Sequence, residues 1–256
     1  MSRRRLNPSE TVADYDVRSP AVRTIATVLG TVVAVGLLIA LVLALSIIRR
    51  ESRVATSQID VGTNATLVIN ASTADLEIVI GEPDLLTVTA TVTSGLRKTD
   101  YQVGRKGDEV KIVSSCQEWL NPGCGVSARL QVPPGMPLDI RTTSGSIRAE
   151  GIAEGVLTVR TTSGDIVAEG LKVDEFSAAS DTGSIRAMFD GQPFGFKATT
   201  KDGDITADLP SGDITYAVTT TSKSGNVSSD FDSAKDAAGF IRVTSVTGDI
   251  RLTTSS

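Results

Sequence analysis

A glycine set in the same short pattern returns six times in the C-terminal half of this chain. The copies are TSGSI at 143–147, TSGDI at 162–166, DTGSI at 181–185, KDGDI at 201–205, KSGNV at 223–227 and VTGDI at 246–250. The glycines, Gly145, Gly164, Gly183, Gly203, Gly225 and Gly248, stand 19, 19, 20, 22 and 23 residues apart. A period near twenty marks a repeat architecture, because a unit this small cannot bury its own apolar face and must stack on copies of itself.

Taking each glycine as origin, positions −7, −5, −3, +2 and +4 read alike. The large apolar residues among them are Leu138, Ile140 and Ile147, then Leu157, Val159 and Ile166. They continue with Phe176 and Ile185, Phe196 and Ile205, Val218 and Val227, and finally Ile241, Val243, Ile250 and Leu252. Small Thr or Ser fills position −3, Ala fills +4 in the first four copies, and mostly charged or hydroxyl side chains fill the alternate positions. Period-two alternation on both sides of a glycine reads as strand, turn, strand. A β-sandwich also has short regular strands, but the identity of residue type at equal offsets favours stacked coils. The prediction is an all-β chain, a β-solenoid of about six coils of 19–23 residues, occupying 135–256. The glycine supplies a turn with positive φ. Asp165, Asp204 and Asp249 follow it as turn residues; a calcium ladder needs six or more oxygens, and one carboxylate per coil is too few.

Upstream, Leu67, Ile69, Ala71, Leu76 and Ile78 fit the same offsets around Ala74, as a coil that has lost its glycine. LLTVTATV at 85–92 and the hairpin YQVGRKGDEVKIV, turning near Gly107, follow it. Residues 58–134 are therefore expected to form an irregular β-rich subdomain that caps the solenoid. Before it, Thr24 to Ile48 carry no charge, and 25 residues span about 37 Å as a helix, enough for a bilayer core of about 30 Å. The h-region of a secretory signal is shorter, so the segment 24–48 is expected to be a retained transmembrane helix. Residues 1–23 then form a disordered tail and 49–57 a linker.

Seven arginines and three acids lie before residue 51, against 18 basic and 27 acidic residues beyond it. Five of those arginines precede the apolar segment, which favours an N-terminus on the cytoplasmic side. Cys116 and Cys124, eight apart around Asn121-Pro122-Gly123, are placed by that turn to form a disulfide, which belongs in an oxidising compartment. The expected location is the cell membrane, single-pass, with the C-terminal domain extracytoplasmic.

The stretch VPPGMPLDIRTTSGSIRAEGIAEGVLTVRTTSGDIVAEGL resembles the bacterial "putative adhesin", β-strand-repeat family of domains of unknown function. Val132, Pro133, Gly135, Pro137 and Leu138 match the V-P-x-G-x-P-L lead of its members, and the six glycines match their units. IVSSCQEWLNPGCGV is similar to the cysteine-bearing entry of membrane-anchored actinobacterial members. The resemblance covers about 58–256. The fifth copy departs from it, with an off-register Ser211-Gly212-Asp213-Ile214 and an insert, DFDSAKDAAG, after Val227. An adhesin-like role is what the resemblance implies, with no catalytic residues to carry over.

The chain has no histidine, which removes Ser-His-Asp and Cys-His nucleophile pairs and His-ligated metals. Two cysteines are too few for a sulfur-ligated zinc site. The acidic remainder beyond residue 50 argues against a nucleic-acid partner. The expected function is a non-catalytic adhesin-like or scaffold module at the cell envelope, with no cofactor and no metal. Its partners are the bilayer, through 24–48, and an envelope polymer met by outward Arg141, Arg160, Arg186 and Lys197, or an envelope protein. One alternative is a polysaccharide-acting enzyme on a β-helix, using a carboxylate pair drawn from Asp165, Asp174, Asp204 and Asp249. A Ser-Lys pair at Lys223-Ser224 falls in the repeat turn. Another alternative is a self-assembling or stress-sensing envelope component. The last coil ends four residues before the final Ser256, and an open strand edge there would pair with a second chain.

Overall fold

The computed structural model describes residues 20–255 except 63, 118 and 120, so the expected tail lies outside the described residues up to position 19. The chain divides after Ala44 into two compact units. The first holds most of α1 (Pro20–Ile48), which begins four residues earlier than the apolar run because Pro20 and Ala21 start its first turn. Its stretch Thr27–Ile48 is long and apolar enough to cross a membrane, as an anchor or as a signal sequence.

The second unit is built of strands. They are β1 (Glu51–Asp60), β2 (Thr66–Ile80), β3 (Leu85–Ser94), β4 (Asp100–Lys106), β5 (Glu109–Ser115) and β6 (Gly125–Val132), followed by the repeat strands. Those are β7 (Leu138–Ser144), β8 (Ile147–Glu150), β9 (Val156–Ser163), β10 (Ile166–Leu171), β11 (Glu175–Thr182) and β12 (Ile185–Phe189). The last six are β13 (Gly195–Asp202), β14 (Ile205–Pro210), β15 (Tyr216–Ser224), β16 (Val227–Ser229), β17 (Gly239–Thr247) and β18 (Ile250–Ser255). Residues 51–57, expected as linker, are strand: β1 pairs residue by residue with β3.

Each repeat contributes one strand to each of two sheets, and equal offsets pair in parallel from coil to coil. Leu138, Leu157, Phe176, Phe196 and Ile241 form one column, and Ile147, Ile166, Ile185, Ile205 and Ile250 another. The β2 coil stacks on β7 and β8 with Leu67 opposite Leu138 and Leu76 opposite Ile147. On its other side β2 pairs in parallel with β5 and β6. The parallel stack therefore begins well before residue 135, and the expected boundary at 134/135 is not a boundary of the fold. Only β1, β3 and β4, added antiparallel, form the cap.

At the other end the stacking order departs from chain order. β13 and β14 pair with β17 and β18, while β15 and β16 pair with the outer edges of β17 and β18. The sixth repeat is thus threaded between the fourth and the fifth. Side-chain chemistry explains the order. The sixth repeat points Ile241, Val243, Ile250 and Leu252 inward, all at most 1% exposed. The fifth points Val218, Thr220, Ser222, Val227 and Ser229 the same way, and its polarity suits a coil with one side open. Two residues expected in the core are corrected accordingly: Val218 is half-buried and Val227 is 44% exposed. The other named core positions are buried.

The threading also moves the free edge. The C-terminal coil, expected to present it, is paired on both sides; the edge belongs to β15 and β16. The insert after Val227 folds along part of it, with the Val218 N–H donating to Ser233 Oγ (3.0 Å) and the Ala234 N–H to the Tyr216 carbonyl (2.9 Å). Tyr216, buried, donates to the Pro193 carbonyl at 2.9 Å and meets Phe231 edge-on. Ile152, Leu171, Phe189 and Leu209 close the corner opposite the glycines, and Phe189 packs edge-on against the stacked Phe176 and Phe196.

Candidate functional site

The repeat's own polar residues are consumed by the corner that carries the glycines. Gly164 (φ 146°) and Gly183 (φ 145°) occupy a backbone region closed to most side chains. A Cβ on Gly183 would overlap the Gly164 carbonyl, and one on Gly164 the Gly145 carbonyl. The same overlap holds along the column through Gly203 and Gly248 to Gly225, so the glycines serve close stacking as well as the turn. Ala74 takes this place in the β2 coil, where its partner in register is Val126 of β6 rather than a corner glycine.

Two further columns brace that corner. The residue after the glycine accepts, through its side chain, the N–H of its counterpart one coil on. Asp75 accepts from Ser146 (2.9 Å), Asp165 from Ser184 (2.8 Å), Asp204 from Asp249 (2.8 Å) and Asp249 from Asn226 (2.7 Å). The hydroxyl at position −3 donates to the glycine carbonyl of the neighbouring coil. Ser180 reaches Gly164, Thr200 reaches Gly183, Ser245 reaches Gly203 and Ser222 reaches Gly248, at 2.8–3.2 Å. Thr142 and Thr161 hold the same position with buried hydroxyls that have no partner among the described residues. Sequence reasoning took these residues as space-fillers; the signal it passed over is that all six copies carry a hydroxyl there.

The acids considered for catalysis do not converge. Asp165, Asp204 and Asp249 lie in the corners of three different coils as backbone acceptors, and Asp174 accepts from the Gly155 N–H at 3.2 Å. Lys223 and Ser224 are exposed at the end coil, and the Ser224 carbonyl accepts the Gly248 N–H. Cys116 and Cys124 are joined as a disulfide, Cα–Cα 6.1 Å, in the connection between β5 and β6. A shallow groove of about 520 Å³ lies on the sheet containing β6, β2, β8 and β10. Its two cations are already paired, Arg129 with Glu77 and Arg148 with Glu169, each at 2.5 Å.

The outward rows remain. Arg141 and Arg160 are neighbours on β7 and β9, and both contact Asp139, at 2.7 and 3.6 Å. Lys197 lies on the same sheet, in the row two residues away, directly opposite Arg242. Arg186 stands on the other sheet, opposite Val167, so the four cations expected as one row are divided between two faces. Arg242 was not singled out, because the fifth repeat separates it from Lys197 in the sequence.

Residues 129–255 match the profile of the family described as Toastrack DUF4097. No curated protein matches the chain. Among solved structures, a "putative cell adhesion protein" from Clostridium sporogenes is similar with a TM-score of 0.51 and 13% identity, over 80% of this chain and 100% of that one. A "putative adhesin" from Bacteroides fragilis is similar with a TM-score of 0.43 and 10% identity, over 78% and 97%. At 13% identity the likeness to the Clostridium sporogenes structure is one of fold. The six corner glycines all lie within residues 129–255, the stretch over which the chain is similar to the Toastrack family.

Proposed function

We propose that this chain is a membrane-held, non-catalytic interaction module of the cell envelope, with its N-terminus in the cytoplasm and its β unit outside. The observation that carries this reading is the use of the repeated polar groups. Corner aspartates and hydroxyls are spent on joining coils, which leaves extended outer faces as the surface available to a partner. The apolar helix supports attachment to a bilayer, the arginine excess before it supports an inward N-terminus, and the disulfide suits an oxidising exterior. The similar Clostridium sporogenes structure bears a cell-adhesion name, in keeping with an adhesive role. The partner is an envelope polymer or protein rather than nucleic acid.

Topology is tested by labelling intact cells with a membrane-impermeant maleimide. The Lys235→Cys variant, in the exposed insert, labels and the Ser2→Cys variant does not. The opposite pattern overturns the orientation. Cleavage of an envelope polysaccharide by the purified chain, abolished by alanine at the outward acids, overturns the non-catalytic reading.

A further inference from the structure

Because β17 is threaded beside β13, Phe240 and Arg242 of β17 become neighbours of Lys197 on one outward face. Lys197 lies opposite Arg242 in register, on strands about 4.8 Å apart. Both are exposed, and among the described residues no ion pair engages either. Phe240, two residues before Arg242 and so on the same face, is 37% exposed and opposite Gly195. Its ring lies over that glycine: a Cβ there would come within 2.7 Å of the ring. Thr199 and Thr244, opposite each other in the next outward row, add hydroxyls beside the cations. Farther along the sheet the outward row of Thr199 continues to Arg160 and Arg141.

We propose that this face, centred on Phe240, Lys197 and Arg242, binds an acidic polysaccharide, a linear sugar chain carrying carboxylates. The charge pattern favours that occupant. The chain beyond residue 50 is strongly acidic, yet these two unpaired cations sit side by side on a flat surface. The exposed ring supplies an apolar plate for a sugar face, the cations take its carboxylates, and the threonines exchange hydrogen bonds with its hydroxyls. A linear chain running along the stack passes from this cluster toward Arg160 and Arg141. The inference rests on the reading of the β unit as an envelope interaction module and names the partner class for one of its faces.

The test uses the full-length protein in detergent and three immobilised probes: polygalacturonate, uncharged dextran and polyphosphate. Polygalacturonate is bound more tightly than either of the others, with an affinity that falls as salt rises. The double variant Lys197→Gln/Arg242→Gln weakens binding about tenfold. Phe240→Ala weakens it about three- to tenfold. Arg148→Gln/Arg186→Gln, on the other sheet, changes it less than about twofold. Exposed positions are chosen so that the fold persists, which unchanged thermal melting verifies; Lys197→Arg, which keeps the charge, retains binding if a variant melts early. Absence of polygalacturonate binding, equal binding to polyphosphate or dextran, or equal loss in the control pair overturns the proposal. Any of these leaves the maleimide pattern untouched, so the two readings fail separately.

Discussion

Asp204 accepts a hydrogen bond from the backbone N–H of Asp249, 45 positions downstream, at 2.8 Å, passing over Asn226, which stands between them in the chain. Asn226 instead donates to Asp249 from the far side, at 2.7 Å. The corner ladder thus runs from the fourth repeat to the sixth and then to the fifth. Local bonding is the same in either order, since each corner offers the same acceptor and donor; inward polarity decides which repeat is enclosed.

That order is testable by one pair of substitutions. Ile250→Asp buries a carboxylate between two coils and costs about 4 kcal/mol or more. Val227→Asp, at the same repeat position in the end coil, stays within about 0.5 kcal/mol. Urea denaturation of the two variants reads the difference, and a larger cost at Val227 would mean that the coils stack in chain order.

The glycine column divides into two tests as well. Gly183→Ala meets both a positive φ and the neighbouring carbonyl, and it is expected to cost about 2–5 kcal/mol. Gly107, in the hairpin between β4 and β5, also has positive φ (62°) but open space around it. Alanine there costs about 1–2 kcal/mol. Equal losses in thermal melting would show that the stacking contact is not what the corner requires.

The hydroxyls at position −3 are separable by their partners. Thr200→Val keeps shape but leaves the Gly183 carbonyl without its donor, at a cost of about 1–2 kcal/mol. Thr161→Val removes a buried hydroxyl that has no partner among the described residues and is expected to be neutral or slightly stabilising. A chemical-denaturation comparison checks the sign of the second and the size of the first.

Burial pushes the Tyr216 hydroxyl up to about 12 from its ordinary 10. The folded state therefore keeps its proton where the unfolded chain loses it. This contribution to stability is fully present below pH 10 and is lost as pH rises toward 12. Melting temperatures across pH 9–12 should fall for the native chain, and Tyr216→Phe should flatten the part of that fall due to this group. An unchanged profile in the variant would show that another group governs the alkaline limb.

Period and alternation alone carry much of this protein. The glycine spacing, the inward residues Leu138, Ile166 or Phe196, and even the degenerate coil around Ala74 are readable because each coil repeats one local conformation, and a side chain's face follows from its parity. The disulfide is readable for a similar local reason, a turn between two nearby cysteines. What the tertiary structure decides is which coil lies against which. Every repeat shares one register, so the pattern of residues permits several stacking orders, and only the sum of buried apolar surface chooses among them. That choice leaves Val218 and Val227 in the coil at the open end of the stack and encloses Ile250 and Leu252. It also brings Arg242 and Phe240 to Lys197 and Gly195 across the fifth repeat, and no local signal encodes a neighbour relation made by threading.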